Sequence, residues 1–170
     1  MYAIYHGKKG ITEIAQNIYK LTSMFHSWCL VNGLEVVNEN CFDTVTFKHK
    51  DADWIQDELY NNKILVFRDN DTLSITFDES STVDDKTTII RVISKRLEDD
   101  KQDLNNTQVD SSIHYRNSDF LTEDLFKGMD ELELTRYIHK LADKDYSLVN
   151  GMIPLGSCTM KLNPSYTLEP

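Results

Sequence analysis

The densest group of reactive side chains in this sequence lies near its end, in the run Met-Ile-Pro-Leu-Gly-Ser-Cys-Thr-Met-Lys-Leu-Asn at 152–163. Ser157, Cys158, Thr159, Lys161 and Asn163 crowd five polar or reactive groups into seven positions. Pro154 and Gly156 interrupt regular structure there, so the hydroxyls, thiol and amine are carried on a loop. Hydroxyls and backbone N–H groups so placed orient a small polar substrate, and a thiol or amine adds covalent chemistry when a neighbour activates it. For Cys158 that activation needs a nearby base or a helix N-terminus, and the sequence shows neither. The five histidines, His6, His26, His49, His114 and His139, fall on unrelated stretches, and no pair is spaced to share a metal ion. His6, beside Gly7, reads as a capping or buried hydrogen-bonding residue.

Such a loop needs elements to hold it. Ile11, Ile14, Ala15, Ile18, Leu21, Phe25 and Trp28 recur at three- and four-residue steps, which predicts an amphipathic helix from Ile11 to Val31 ended by Gly33. Leu34–Val37 and Thr44–Phe47 read as two short strands. Asp51 suits the N-cap of a helix reaching Tyr60. Ile64–Phe67 and Thr72–Phe77 then read as a second strand pair around the turn Arg68–Asp71. Ser81 or Thr82 caps a further helix, with Val83, Ile89, Ile90, Ile93 and Leu97 as its apolar positions. Helix, two strands, helix, two strands, helix describes an α+β (α/β layer) domain over residues 1–97. Residues 98–119 read as a polar linker, because Glu98 to Ser112 offers only Leu104 and Val109 as apolar residues. Residues 120–170 carry a short helical run, a helix from Asp130 to Asp143 with Leu134, Tyr137, Ile138 and Leu141 on one face, and the reactive loop.

Composition narrows the function classes. Acidic residues outnumber basic ones by 28 to 18, for a net charge of -10, and no basic cluster stands clear of carboxylates. Nucleic acid is therefore not an expected partner. No apolar run reaches the length of a membrane span, and the start lacks the basic-then-apolar pattern of a secretion signal. A membrane is not expected either, and a cytosolic or organelle-matrix setting is. Three widely spaced cysteines, Cys29, Cys41 and Cys158, build neither a disulfide framework nor a Cys-x-x-Cys clamp, so they are expected as free thiols.

Several short stretches, in order, resemble the glycine cleavage system P-protein family. Tyr5-His6-Gly7 followed by Gly10-Ile11 is similar to the family's Tyr-His-Gly opening of a long helix, and Phe42-Asp43-Thr44 to its Phe-Asp-Thr. Asp71-Thr72-Leu73 with Asp78-Glu79 resembles its Asp-Gly-Thr-Leu and Asp-Glu stretch. The set Phe120-Leu121-Thr122, Leu134-Thr135-Arg136-Tyr137, Lys144-Asp145-Tyr146-Ser147-Leu148 and Met152 through Asn163 is the more specific part. Departures are visible too. Glu123 stands where the family has histidine, Gly128-Met129-Asp130-Glu131 where it has Tyr-His-Ser-Glu, and Lys8-Lys9 where it has Pro-Glu.

What the resemblance implies is a piece of a pyridoxal-phosphate enzyme that decarboxylates glycine and passes the aminomethyl group to lipoylated H-protein. Family members consist of two aminotransferase-like halves, of which the second holds the cofactor, and the active assembly is dimeric. Residues 1–97 then correspond to the small C-terminal domain of the cofactor-free half, and residues 120–170 to the start of the catalytic half. This is the pattern expected of an internal fragment of the fused single-chain form. The family's Schiff-base lysine lies in a His-Lys-Thr stretch followed by a glycine-rich run, and this sequence has neither. No catalytic or cofactor-binding residue is therefore assigned here, and Lys161 keeps a structural or surface role. Ser157, Cys158 and Thr159 remain as candidates for the wall of a substrate channel, against the alternative of a structural crossover loop. The competing reading of the whole chain is a noncatalytic α+β interaction module or heteromer subunit.

Overall fold

A computed structural model describes residues 1–38, 40–97, 116–145 and 151. The chain divides into two compact units, one of Lys8–Thr122 and a smaller one of Met1–Gly7 with Glu123–Pro170. Helix α1 (Tyr2–Val31) runs from the second into the first and is broken at Gly7, whose φ of 63° and ψ of -177° are not helical.

In the larger unit the elements follow the expected order: β1 (Glu35–Val36), β2 (Thr44–Lys48), α2 (Ala52–Asn61), β3 (Phe67–Asp69), β4 (Thr72–Thr76) and α3 (Val83–Ser94). The four strands form one antiparallel sheet in the order β1-β2-β4-β3, with Val45 opposite Ile75 and Phe47 opposite Leu73. Alternation along β2 and β4 sends those four side chains to one face, where all are buried. Phe25 of α1 joins them there. Its ring stacks 6.0 Å from Trp28 and meets Phe47 and Phe77 edge-on at 6.1 and 5.9 Å. Ile55 and Leu59 of α2 and Ile89, Val92 and Ile93 of α3 complete this core, giving an α+β layer. The opposite face carries hydroxyls that pair across the strands, Thr44 with Thr76 and Thr46 with Ser74, each at 2.9 Å.

Local chemistry sets the boundaries. The Asn38 side-chain amide donates to Thr44 O and accepts from Thr46 N, both at 2.8 Å, standing in for backbone where β1 stops. Asn70 takes the left-handed conformation, φ 53°, and closes a tight turn between paired Asp69 and Thr72. That register moves β3 later than the expected Ile64–Phe67. Ile64 N–H instead bonds Leu59 O at 3.0 Å, and Val66 O accepts from the Gln56 amide at 3.2 Å. Thr82 caps α3 reciprocally with Asp85. Asp51 does precede α2, but its side chain makes no cap bond there. Lys95 pairs with Glu58 at 2.7 Å and the Arg96 guanidinium lies 3.9 Å from the Trp54 ring centre, tying α3 to α2.

The smaller unit contains a 3-10 turn (Asp124–Phe126) and α4 (Glu131–Ala142). Asp130 and Glu133 cap α4 reciprocally, at 2.7 and 3.1 Å. Of its expected apolar face, Leu134, Tyr137 and Leu141 are half-buried and Ile138 is exposed. No residue of α4 is fully buried.

Candidate functional site

The Tyr-His-Gly stretch is explained by a backbone contact inside the smaller unit. A Cβ on Gly7 would fall 2.7 Å from Gly128 N, 2.9 Å from Lys127 C and 2.9 Å from Phe126 O. Those are backbone atoms with no room to yield, and the left-handed φ of Gly7 independently selects glycine. Tyr5 O accepts from Met129 N at 3.2 Å and closes the junction. The half-buried His6 ring lies 4.4 Å from that of Tyr2 and 4.9 Å from that of Tyr5. This is packing of an imidazole among aromatic rings.

The larger unit holds a cavity of about 310 Å³ between α1 and the loop leading into α3. Leu21, Met24 and Lys20 line it from α1, and Asp78, Ser81 and Thr82 from the loop. The Asp78 Oδ1 accepts from Ser80 N, Ser80 Oγ and Ser81 Oγ at 2.8 to 2.9 Å. Those donors hold the Asp78 carboxyl below the usual carboxylate range, the Ser80 hydroxyl contributing most. Behind Met24 lies Lys86, only 6 % exposed. Its ammonium donates to the Met24 sulfur at 3.8 Å, and among the described residues it forms no ion pair. Burial first, and the neighbouring Lys20 second, push its pKa below that of an ordinary lysine. This pair of cations is not legible in the sequence, because a lysine within an amphipathic helix reads as a surface residue.

Among the described residues, Cys29 and Cys41 offer no nucleophile. Burial raises the Cys29 thiol well above its ordinary pKa, and Cys41 is raised by burial and then by Asp43. Both are free, as expected. Among the described residues no group of His, Cys, Asp or Glu is arranged to hold a metal. Ser157, Cys158, Thr159 and Lys161 lie outside the described residues.

Pyridoxal phosphate requires a lysine facing free N–H groups at a helix start and an acid for its ring nitrogen. The described residues around the buried lysine do not fit that group. At the nearby start of α3 the Asp85 N–H is taken by Thr82 Oγ1 and the Thr82 N–H by Asp85. Asp84 and Asp85 in the first turn would also repel a phosphate.

Comparison with known proteins places these observations in a lineage. Residues 1–93 match the family described as glycine cleavage system P-protein. The mitochondrial glycine dehydrogenase (decarboxylating) of Solanum tuberosum is 38 % identical over 179 residues, covering 100 % of this chain and 17 % of the relative. The glycine dehydrogenase (decarboxylating) of Deinococcus radiodurans is 38 % identical over 172 residues, covering 99 % of this chain and 18 % of the relative. A solved NifS-like protein resembles 51 % of this chain and 28 % of its own, with a TM-score of 0.45 and 15 % identity. The chain thus spans less than a fifth of the length of the curated relatives it matches.

Proposed function

The chain belongs to the glycine cleavage system P-protein family, and from that membership we propose that it acts as the scaffold segment of a longer, fused, glycine-decarboxylating polypeptide. The observation that carries this is the alignment of the chain from end to end with under a fifth of each relative. The whole protein would convert glycine and lipoylated H-protein to aminomethyl-H-protein and CO2, as a dimer in a bacterial cytoplasm or mitochondrial matrix. Pyridoxal phosphate, bound in the complete enzyme, supplies the electron sink for decarboxylation. This chain's own contribution is placement. Residues 1–97 serve as the small domain of the cofactor-free half, 98–119 as the linker, and 120–170 as the start of the catalytic half, with Ser157, Cys158 and Thr159 in the wall of the substrate channel.

The test adds pyridoxal phosphate to the purified chain and follows both absorbance at the visible edge and CO2 release from glycine with lipoylated H-protein. No lysine-linked chromophore and no turnover are expected from the chain alone. Turnover is expected when the remainder of a family polypeptide is supplied. A chromophore with turnover from the chain by itself would overturn the scaffold reading. In the full-length enzyme, replacing Ser157 and Thr159 with alanine should raise KM for glycine if they line the channel. An unchanged KM and kcat would return the loop to a structural role.

One observation favours the competing reading of a noncatalytic interaction module: Leu132 of α4 is 56 % exposed and Ile138 44 % exposed. If turnover stays absent with the remainder supplied, while the two pieces still copurify, that reading replaces the first.

A further inference from the structure

The cavity beside α1 is electrically divided, and the division specifies a ligand. Lys20 lines it and Lys86 lies just behind Met24; neither makes an ion pair among the described residues. Burying an uncompensated ammonium is unfavourable, and a nearby anion offsets that penalty. The opposite wall is acidic. Asp78 and Glu79 line it, with Asp78 fixed by its three serine donors. Ile14, Leu21 and Val83 add apolar lining. The N-terminus of α3 is closed by Thr82 and Asp85, so an anion here depends on the lysines rather than on helix-end N–H groups.

We infer that this cavity is a binding site for a small aliphatic monocarboxylate, its carboxylate held between Lys20 and Lys86 and its alkyl chain laid on Ile14, Leu21 and Val83. A single negative charge at one end matches the lysine wall. A dianion such as phosphate would bring a second negative charge toward Asp78 and Glu79, and an alkylamine drawn to those carboxylates would leave the buried Lys86 ammonium without an anion. The volume of about 310 Å³ is at the small end for ligand sites and accommodates a chain of a few carbons. Met24, whose sulfur now accepts a hydrogen bond from the Lys86 ammonium, is the side chain that must shift when a carboxylate replaces it as acceptor.

The test is methyl NMR of the 170-residue chain carrying 13C-methyl methionine, with pentanoate as the probe and the Met24 resonance assigned by its loss in Met24→Leu. Pentanoate should shift the Met24 methyl saturably, half-saturating on the order of 1–10 mM. Lys20→Met should weaken binding about tenfold, as expected for loss of one charge-assisted bond. Lys86→Met should abolish the saturable shift, and Lys63→Met should leave it unchanged. A linear response without saturation would overturn the proposal. So would equal responses to phosphate or pentylamine, or curves unaltered by both lysine substitutions. If Lys86→Met loses the native near-ultraviolet circular dichroism, the exposed Lys20 decides the matter by itself.

Discussion

The larger unit buries Phe25, Val45, Phe47, Ile55, Leu59 and Leu73 to zero exposure, whereas the smaller one buries only Ile4 and Gly7 among its described residues. Both use the same local devices. Each has a reciprocal capping box, Thr82 with Asp85 in one and Asp130 with Glu133 in the other. Correct local signals therefore do not make a unit self-sufficient. A short amphipathic helix draws most of its stability from the face it buries, and α4 buries none of its side chains fully.

The comparison can be broken most severely at Phe25. Phe25→Ala should lower the unfolding free energy of the larger unit by about 3–5 kcal/mol, read from urea unfolding followed by tryptophan fluorescence. Leu134→Ala in α4 should leave that transition in place. If the two substitutions cost the same, the contrast between the units fails.

Gly7→Ala tests the smaller unit at its tightest point. Forcing a Cβ against the backbone of residues 126–128 at a left-handed φ should cost about 1–3 kcal/mol locally. Faster hydrogen exchange at Met129 N–H is the expected readout, with the Phe47 and Leu73 amides unaffected. The caps give a finer contrast. Thr82→Ala should lower the cooperative stability of the larger unit by about 1 kcal/mol, while Asp130→Ala should reduce helical signal without moving the main transition.

The smallest effect is a pH dependence at Asp78, whose folded pKa is depressed by the Ser80 and Ser81 donors. The unfolded chain binds this proton more readily than the folded one. The stabilisation is therefore fully present above the ordinary aspartate range and is lost as pH falls through the depressed folded value. Asp78→Asn should flatten that part of the urea-midpoint curve, and superimposed curves would show that the serine bonds contribute nothing to it.

Element order was legible because each segment of the larger unit has its own period and punctuation, from the Leu21-Phe25-Trp28 stripe to Thr82. Strand placement was less so. The run Ile64–Phe67 looks like a strand by composition, but Asn70 fixes the turn, and with it the register that puts β3 at Phe67–Asp69. The central pairing of β2 with β4 also escaped reading, since apolar alternation says which face is buried and not which strand is the neighbour. Asp130 departs from the family pattern by standing in the place of a serine, yet both residues accept the same N-cap bond, so the change preserves the helix start. The cavity was invisible for a different reason. Lys20 and Lys86 belong to separate helices and become neighbours only through tertiary packing.

The break at Gly7 also alters how the first helix should be drawn. Ile4 and Ile11 are seven positions apart, which in an uninterrupted helix places them two turns apart on nearly one meridian. Across a residue with φ 63° and ψ -177° that phase relation is void. Ile4 is buried within the smaller unit, while Ile11 belongs to the larger one. A helical wheel for this chain has to be started afresh after residue 7, and a substitution chosen from a single continuous wheel would land on the wrong face.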